Sequence, residues 1–207
     1  MWGDKMKFGD VLLNFCEWIW RFMILNFLWV IFMVAGGVVL GIMPSTVATF
    51  YILRKWIQGN FDMPIFKTFK DIYKKEFINS NKCGFVFFAL FAFLAFDLTI
   101  LYKMEALYST VLYIIVMTVL FFVSISFMFF FPLYVYFEQS NKEYIKNSFI
   151  ISLSSPFQTL LILIGLYILS YIVKGNLGLV LFFFMVIPGY LIMHVSNKKF
   201  KQIQRSM

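Results

Sequence analysis

The chain has 207 residues, 62% of them hydrophobic and 14% charged, with a net charge of +8 and a mean hydropathy of +0.85. Soluble domains carry about 25% charged residues, so this composition excludes an ordinary soluble fold, and no polar stretch is long enough to fold as a separate domain. The 18 basic residues lie between apolar runs, the placement of the positive-inside pattern and not of a nucleic-acid-binding stripe.

Residues 1–21 are expected to form an interfacial lead-in, because Phe8, Val11, Leu12, Phe15, Trp18 and Ile19 recur at helical spacing. Asp4, Asp10 and Glu17 interrupt any signal-peptide pattern, so the first span is expected to stay in the mature protein. That span is 22–43, uncharged throughout and closing in Gly36, Gly37 and Gly41. Pro44 lacks an N–H and is expected to break the helix there. The following piece, 45–57, is about 20 Å long as a helix, short of a full crossing. It reads as a membrane-embedded arm folded back at Pro44. Gly37 and Gly41 make a G-x-x-x-G step, read as packing against that arm.

Residues 65–77 place Ile65, Phe66, Phe69, Ile72, Tyr73 and Phe77 on one face and Lys67, Lys70, Asp71, Lys74 and Lys75 on the other. This predicts an amphipathic helix in the membrane surface. A second span, 84–102, carries one charge, Asp97. Residues 106–137 contain no Asp, Glu, Lys or Arg, more than the ~20 apolar residues that one crossing needs. A loop at 138–148 precedes a fourth span, 149–173, which opens with Ser152, Ser154, Ser155, Pro156, Gln158 and Thr159. The fifth span is 177–195, and 196–207 is a basic tail. The prediction is one all-α integral membrane domain over 1–207, with five long spans, a short arm and an interfacial helix.

Counting basic residues orients it. With five spans alone, 13 positives lie inside and 5 outside, with the N-terminus outside. If the arm returns as a sixth, partial span, the N-terminus is inside and the count becomes 16 against 2. The second scheme is preferred, and the tail is cytoplasmic in both.

Few residues suggest chemistry. Asp97 is an intramembrane carboxylate and so a candidate for substrate or cation binding, although hydration near the outer interface explains it more simply. Pro44, Ser45 and Thr46 would leave free N–H groups at a helix start, which suits an anionic substrate; a capped turn is the simpler use. Ser155 and Gln158 belong to the patch that would line a polar cavity. Arg54, Lys55, Lys67, Lys70, Lys74 and Lys75 are candidates for contact with anionic headgroups or a partner. Cys16 and Cys83 stand far apart and His194 is the sole histidine, so neither a metal nor a cofactor is expected. No HExxH, GxSxG, P-loop, GxGxxG or CxxC is present, so no catalytic residue is assigned and no enzyme is expected.

The run Gly41-Ile42-Met43-Pro44-Ser45-Thr46-Val47-Ala48, then Arg54-Lys55-Trp56 and Phe66-Lys67-Thr68-Phe69, resembles the YesL-type family of Gram-positive membrane proteins. Phe131-Pro132-Leu133, Lys146-Asn147-Ser148-Phe149 and Pro156 with Thr159-Leu160-Leu161 fit its second half. Members usually have Ala where this chain has Ser45. The resemblance implies a domain of unknown function, encoded beside carbohydrate uptake and polysaccharide degradation genes, with no catalytic residues to carry over. The expected role is an accessory component of carbohydrate import. Its expected partners are the bilayer and ABC importer subunits, with no nucleic acid. The chain lacks the EAA-type coupling loop of an importer permease. The alternative is a stand-alone transporter or channel around Asp97 and Pro44–Thr46.

Overall fold

The computed structural model describes residues 8–104, 107–174 and 184–206, and these are helical, without strands. The helices are α1 (Phe8–Ala35), α2 (Val39–Ile57), α3 (Ile65–Tyr102), α4 (Leu107–Tyr136), α5 (Asn141–Ser154), α6 (Pro156–Lys174) and α7 (Val186–Ser206). Three stretches are long and apolar enough to cross a membrane, Phe15–Ala35 and the whole of α3 on the one hand and Tyr108–Tyr136 on the other; the bent α5–α6 pair would make a fourth. Within their most apolar windows only 22, 17 and 33% of residues are buried in protein, so lipid is the solvent for the remainder. Five long spans are not supported.

From Phe8 onward the lead-in and the first span are one helix, and residues 1–7 of the lead-in lie outside the described residues. Nothing between Phe15 and Ala35 is Gly or Pro, and Arg21 is accommodated by Glu17 at 2.9 Å, one turn away, and by the Phe61 carbonyl at 3.0 Å.

The turn after α1 falls at residues 36–38, not at Pro44. Gly37 (φ 74°) and Val38 (φ 61°) take the positive φ values with which the chain reverses. A Cβ added at Gly41 would strike the Met33 backbone, so α1 and α2 approach closely at Gly41. Pro44 then lies inside α2. It cannot donate to the Leu40 carbonyl, and the Asn81 side-chain amide of α3 donates to that carbonyl at 2.9 Å instead. The supposed arm is thus the inner part of a helix about 28 Å long, twelve of whose nineteen residues are buried.

The amphipathic segment 65–77 is not a separate surface helix. It is the start of the 38-residue α3, roughly 57 Å long. Its Phe69 and Tyr73 turn inward to Phe32 of α1, with ring centroids 5.1 and 5.0 Å apart, leaving Phe66 exposed.

Residues 138–148 are mostly helix. Ser140 and Glu143 form a capping box that starts α5 at Asn141. The span expected at 149–173 is broken at Ser155–Pro156, where α6 leaves α5 at 89°. Pro156 opens α6, a position where its missing N–H costs nothing. Of the last span, 177–183 lies outside the described residues, and the tail is helical to Ser206.

Two clusters fill the interior. One gathers Leu25, Trp29, Leu53, Trp56, Phe69 and Val186; the other gathers Met43, Phe50, Phe87, Phe130, Leu133 and Met193. α2 contributes to both.

Candidate functional site

Where α2 ends, beside the start of α3 and the α4–α5 connection, lies a cleft of about 460 Å³. Its charged lining consists of Arg54, Lys75, Glu76 and Glu138; Asn79, Gln139 and Asn141 add amides, and Tyr51, Tyr134, Tyr136 and Tyr144 add rings.

Helix ends create this chemistry. The last carbonyls of α4 have no partner within the helix. Arg54 Nη1 donates to the Val135 carbonyl, a cation at a helix C-terminus, and its guanidinium lies 4.4 Å from the centre of the Tyr136 ring. The Tyr144 hydroxyl donates to the Phe137 carbonyl at 2.7 Å and accepts from the Gln139 backbone N–H at 3.0 Å. Tyr134 donates to Glu76 Oε2 at 2.7 Å, and Lys75 stands 3.7 Å from Glu76 Oε1. Tyr134 and Tyr144 pack with centroids 4.5 Å apart. Arg54 Nε is buried without a hydrogen-bond partner.

Of the candidate site residues named from the sequence, only Arg54 and Lys75 line this cleft. Lys67, Lys70 and Lys74 are exposed on α3, and Lys55 Nζ rests 5.6 Å from the Tyr51 ring centre. Pro44, Ser45 and Thr46 are buried in α2, too far along the helix to present a free dipole end. Thr46 accepts from Trp29 Nε1 at 3.1 Å, while the Ser45 hydroxyl is buried without a partner. Asp97 is half-buried on α3 and, among the described residues, makes no hydrogen bond or ion pair. Ser155 is buried at the α5–α6 break, where Lys199 Nζ donates to its hydroxyl and to the Ser154 carbonyl at 3.1 Å. Burial pushes the Lys199 ammonium down from the ordinary lysine pKa. Gln158 is half-buried nearby on α6. These groups do not converge on the cleft. His194 is exposed and stacks on Tyr190, and no group of metal-ligating side chains occurs among the described residues.

The reading of the sequence passed over Tyr134, Tyr136, Glu76, Asn79, Gln139 and Asn141 as parts of a site. The one local signal was Ser140-x-x-Glu143, which marks a helix start and hence a tight α4–α5 connection.

The uncharacterized protein YteU of Bacillus subtilis is 36% identical over 185 residues, covering 89% of this chain and 82% of its own length. The chain belongs to the YesL-type family. The uncharacterized proteins YesL and YesV of the same organism are each 31% identical, over 93% and 97% of this chain and 90% and 96% of their own lengths. The family model described as "Protein of unknown function, DUF624" matches residues 22–98, from the middle of α1 to the outer part of α3. That range holds Arg54, Lys75, Glu76 and Asn79 of the cleft; the α4 and α5 walls lie beyond it. No solved structure matches.

Proposed function

We propose that this YesL-type protein is a non-enzymatic, multi-pass component of the cell membrane that serves as an accessory subunit of a transport system. The observation that carries the reading is the aromatic packing behind two tyrosines of the cleft lining, Tyr134 and Tyr144, which meet Phe130 at 5.3 and 6.4 Å. Phe50 stacks on Phe131 at 5.4 Å, Phe131 meets Phe130 and Phe127 at 5.3 and 5.0 Å, and Phe87 closes on Phe130 at 5.4 Å. Interlocked rings are close-packed and apolar, so they favour a socket over one end of a conduit. A socket binds without conducting, which suits an accessory role better than a stand-alone channel around Asp97.

The segments 65–77 and 138–148 both reach the cleft, through Ile72, Lys75 and Glu76 on one wall and Glu138, Gln139, Asn141 and Tyr144 on the other. A partner would therefore meet one surface. The resemblance points to ABC importer subunits for carbohydrate as that partner, and the count of basic residues along the chain supports a cytoplasmic position for the cleft and both termini. The exposed lysines of α3 face anionic headgroups.

Purifying the tagged chain from its host in mild detergent tests this: an importer subunit is expected to co-purify. Repeated recovery without any transport subunit would overturn the reading. Flux of a sugar or ion through the purified chain alone in proteoliposomes would favour the stand-alone transporter.

A further inference from the structure

The cleft holds more free donors than free acceptors. Arg54 is fixed on two sides, by the Val135 carbonyl at Nη1 and by the Tyr136 ring beneath its plane. What remains is the Nε–Nη2 edge, the fork that meets two oxygens of one oxyanion, and its Nε is buried with no partner. A buried charged N–H left unmatched is unfavourable, and a ligand oxygen there removes the deficit. Lys75 projects from the α3 wall of the same cleft with a largely exposed side chain. The side-chain amides of Asn79 and Asn141 also line it, and no hydrogen bond among the described residues engages them.

Two carboxylates share the lining. Glu76 is occupied, one oxygen by the Tyr134 hydroxyl at 2.7 Å and the other facing Lys75 at 3.7 Å. Glu138 is exposed. Neither offers Arg54 a partner.

We infer that this cleft is a phosphoryl-binding site, with the Arg54 fork and Lys75 as its cationic donors and Asn79 and Asn141 as neutral ones. A carboxylate held by the fork keeps its remaining lone pairs in the plane of the guanidinium, whereas a tetrahedral phosphate, diester or monoester, offers lone pairs out of that plane and so reaches Arg54 and Lys75 together. The group arrives either on an anionic lipid headgroup or on a free phosphorylated solute. The site does not depend on the accessory role, since it follows from the cleft alone.

The test uses the full chain in bilayer discs of a phosphate-free galactolipid, with and without phosphatidylglycerol. Inorganic phosphate is titrated while the thermal midpoint is followed, and native mass spectrometry reads retained lipid. A midpoint rising with inorganic phosphate identifies a free phosphate site. Retention of phosphatidylglycerol without that response identifies the headgroup; either supports the inference. Lys75→Gln, at an exposed side chain that folding does not need, is expected to weaken binding about tenfold, the loss of one charge-assisted contact. Arg54→Gln is expected to abolish it. Lys67→Gln, exposed outside the cleft, is expected to leave it unchanged. No response to phosphate together with no retained phosphatidylglycerol overturns the inference, as does binding that is indifferent to Lys75→Gln or equally weakened by Lys67→Gln.

Discussion

α2 and the outer half of the α3–α4 pair invert the rule expected of a soluble protein. α2 carries Pro44, Ser45, Thr46, Thr49, Arg54 and Lys55, yet it is the helix most enclosed by its neighbours. Residues 110–122 of α4 are almost entirely apolar, yet none is buried; on α3, nothing past Leu94 is buried. In water the second region would be the core. In lipid, apolar side chains gain little by leaving their solvent, so close helix approach and internal hydrogen bonds decide which surfaces meet. Small residues on α2 permit that approach, and Thr46, Thr49 and the Leu40 carbonyl all find partners.

The sharpest way to break this comparison is to truncate one phenylalanine in each region and measure unfolding of the purified protein in mild detergent. Phe130, fully buried against Phe87, Phe131 and Tyr134, is expected to cost about 3–5 kcal/mol as Phe130→Ala. Phe121→Ala, on the exposed face of α4, is expected to stay within ~0.5 kcal/mol. Equal losses would mean that the outer pair is covered by protein.

Next in size is Gly41→Ala. The added methyl meets the Met33 backbone, which cannot rotate aside as a side chain would, so α1 and α2 must separate at an expected cost of about 1–3 kcal/mol. The same unfolding measurement reads it, and an unchanged midpoint would show that the hairpin does not depend on this contact.

Asn81→Leu leaves the Leu40 carbonyl without a donor, for an expected loss of about 1–3 kcal/mol. Pro44→Ala restores a backbone N–H to that carbonyl, so the Asn81 effect should shrink in the Pro44→Ala background. A double-mutant cycle with zero coupling would refute the pairing. The smallest expected effect is at Asp97. With no hydrogen bond or ion pair among the described residues, Asp97→Asn should shift stability by no more than ~0.5 kcal/mol. A larger shift in circular-dichroism melting would assign the carboxylate a partner.

The helices were legible wherever a long apolar run lay between breaks, as in α1 and α4. Boundaries failed where local chemistry was outvoted. Pro44 reads as a helix breaker only until Asn81, thirty-seven positions along, supplies the missing donor. The stretch from Asn79 to Asn81 looks like a loop between an interfacial helix and a span, but those residues continue α3 because Ser80 and Cys83 are buried within the bundle. At the cleft, Arg54 and Lys75 stood out as charges, while the tyrosines and amides around them did not, since each is ordinary in its own neighbourhood.

What the sequence determined by itself was the solvent: the length and apolarity of its runs require lipid, whatever the fold, because unpaired charge is too costly there and these runs carry almost none. Only the tertiary structure decided which face of each helix meets protein, where the chain turns, and that Arg54 ends against Val135 and Tyr136. Those outcomes rest on contacts between residues far apart in the chain, and a helical period carries the same apolar signal whether a face meets a neighbouring helix or an acyl chain.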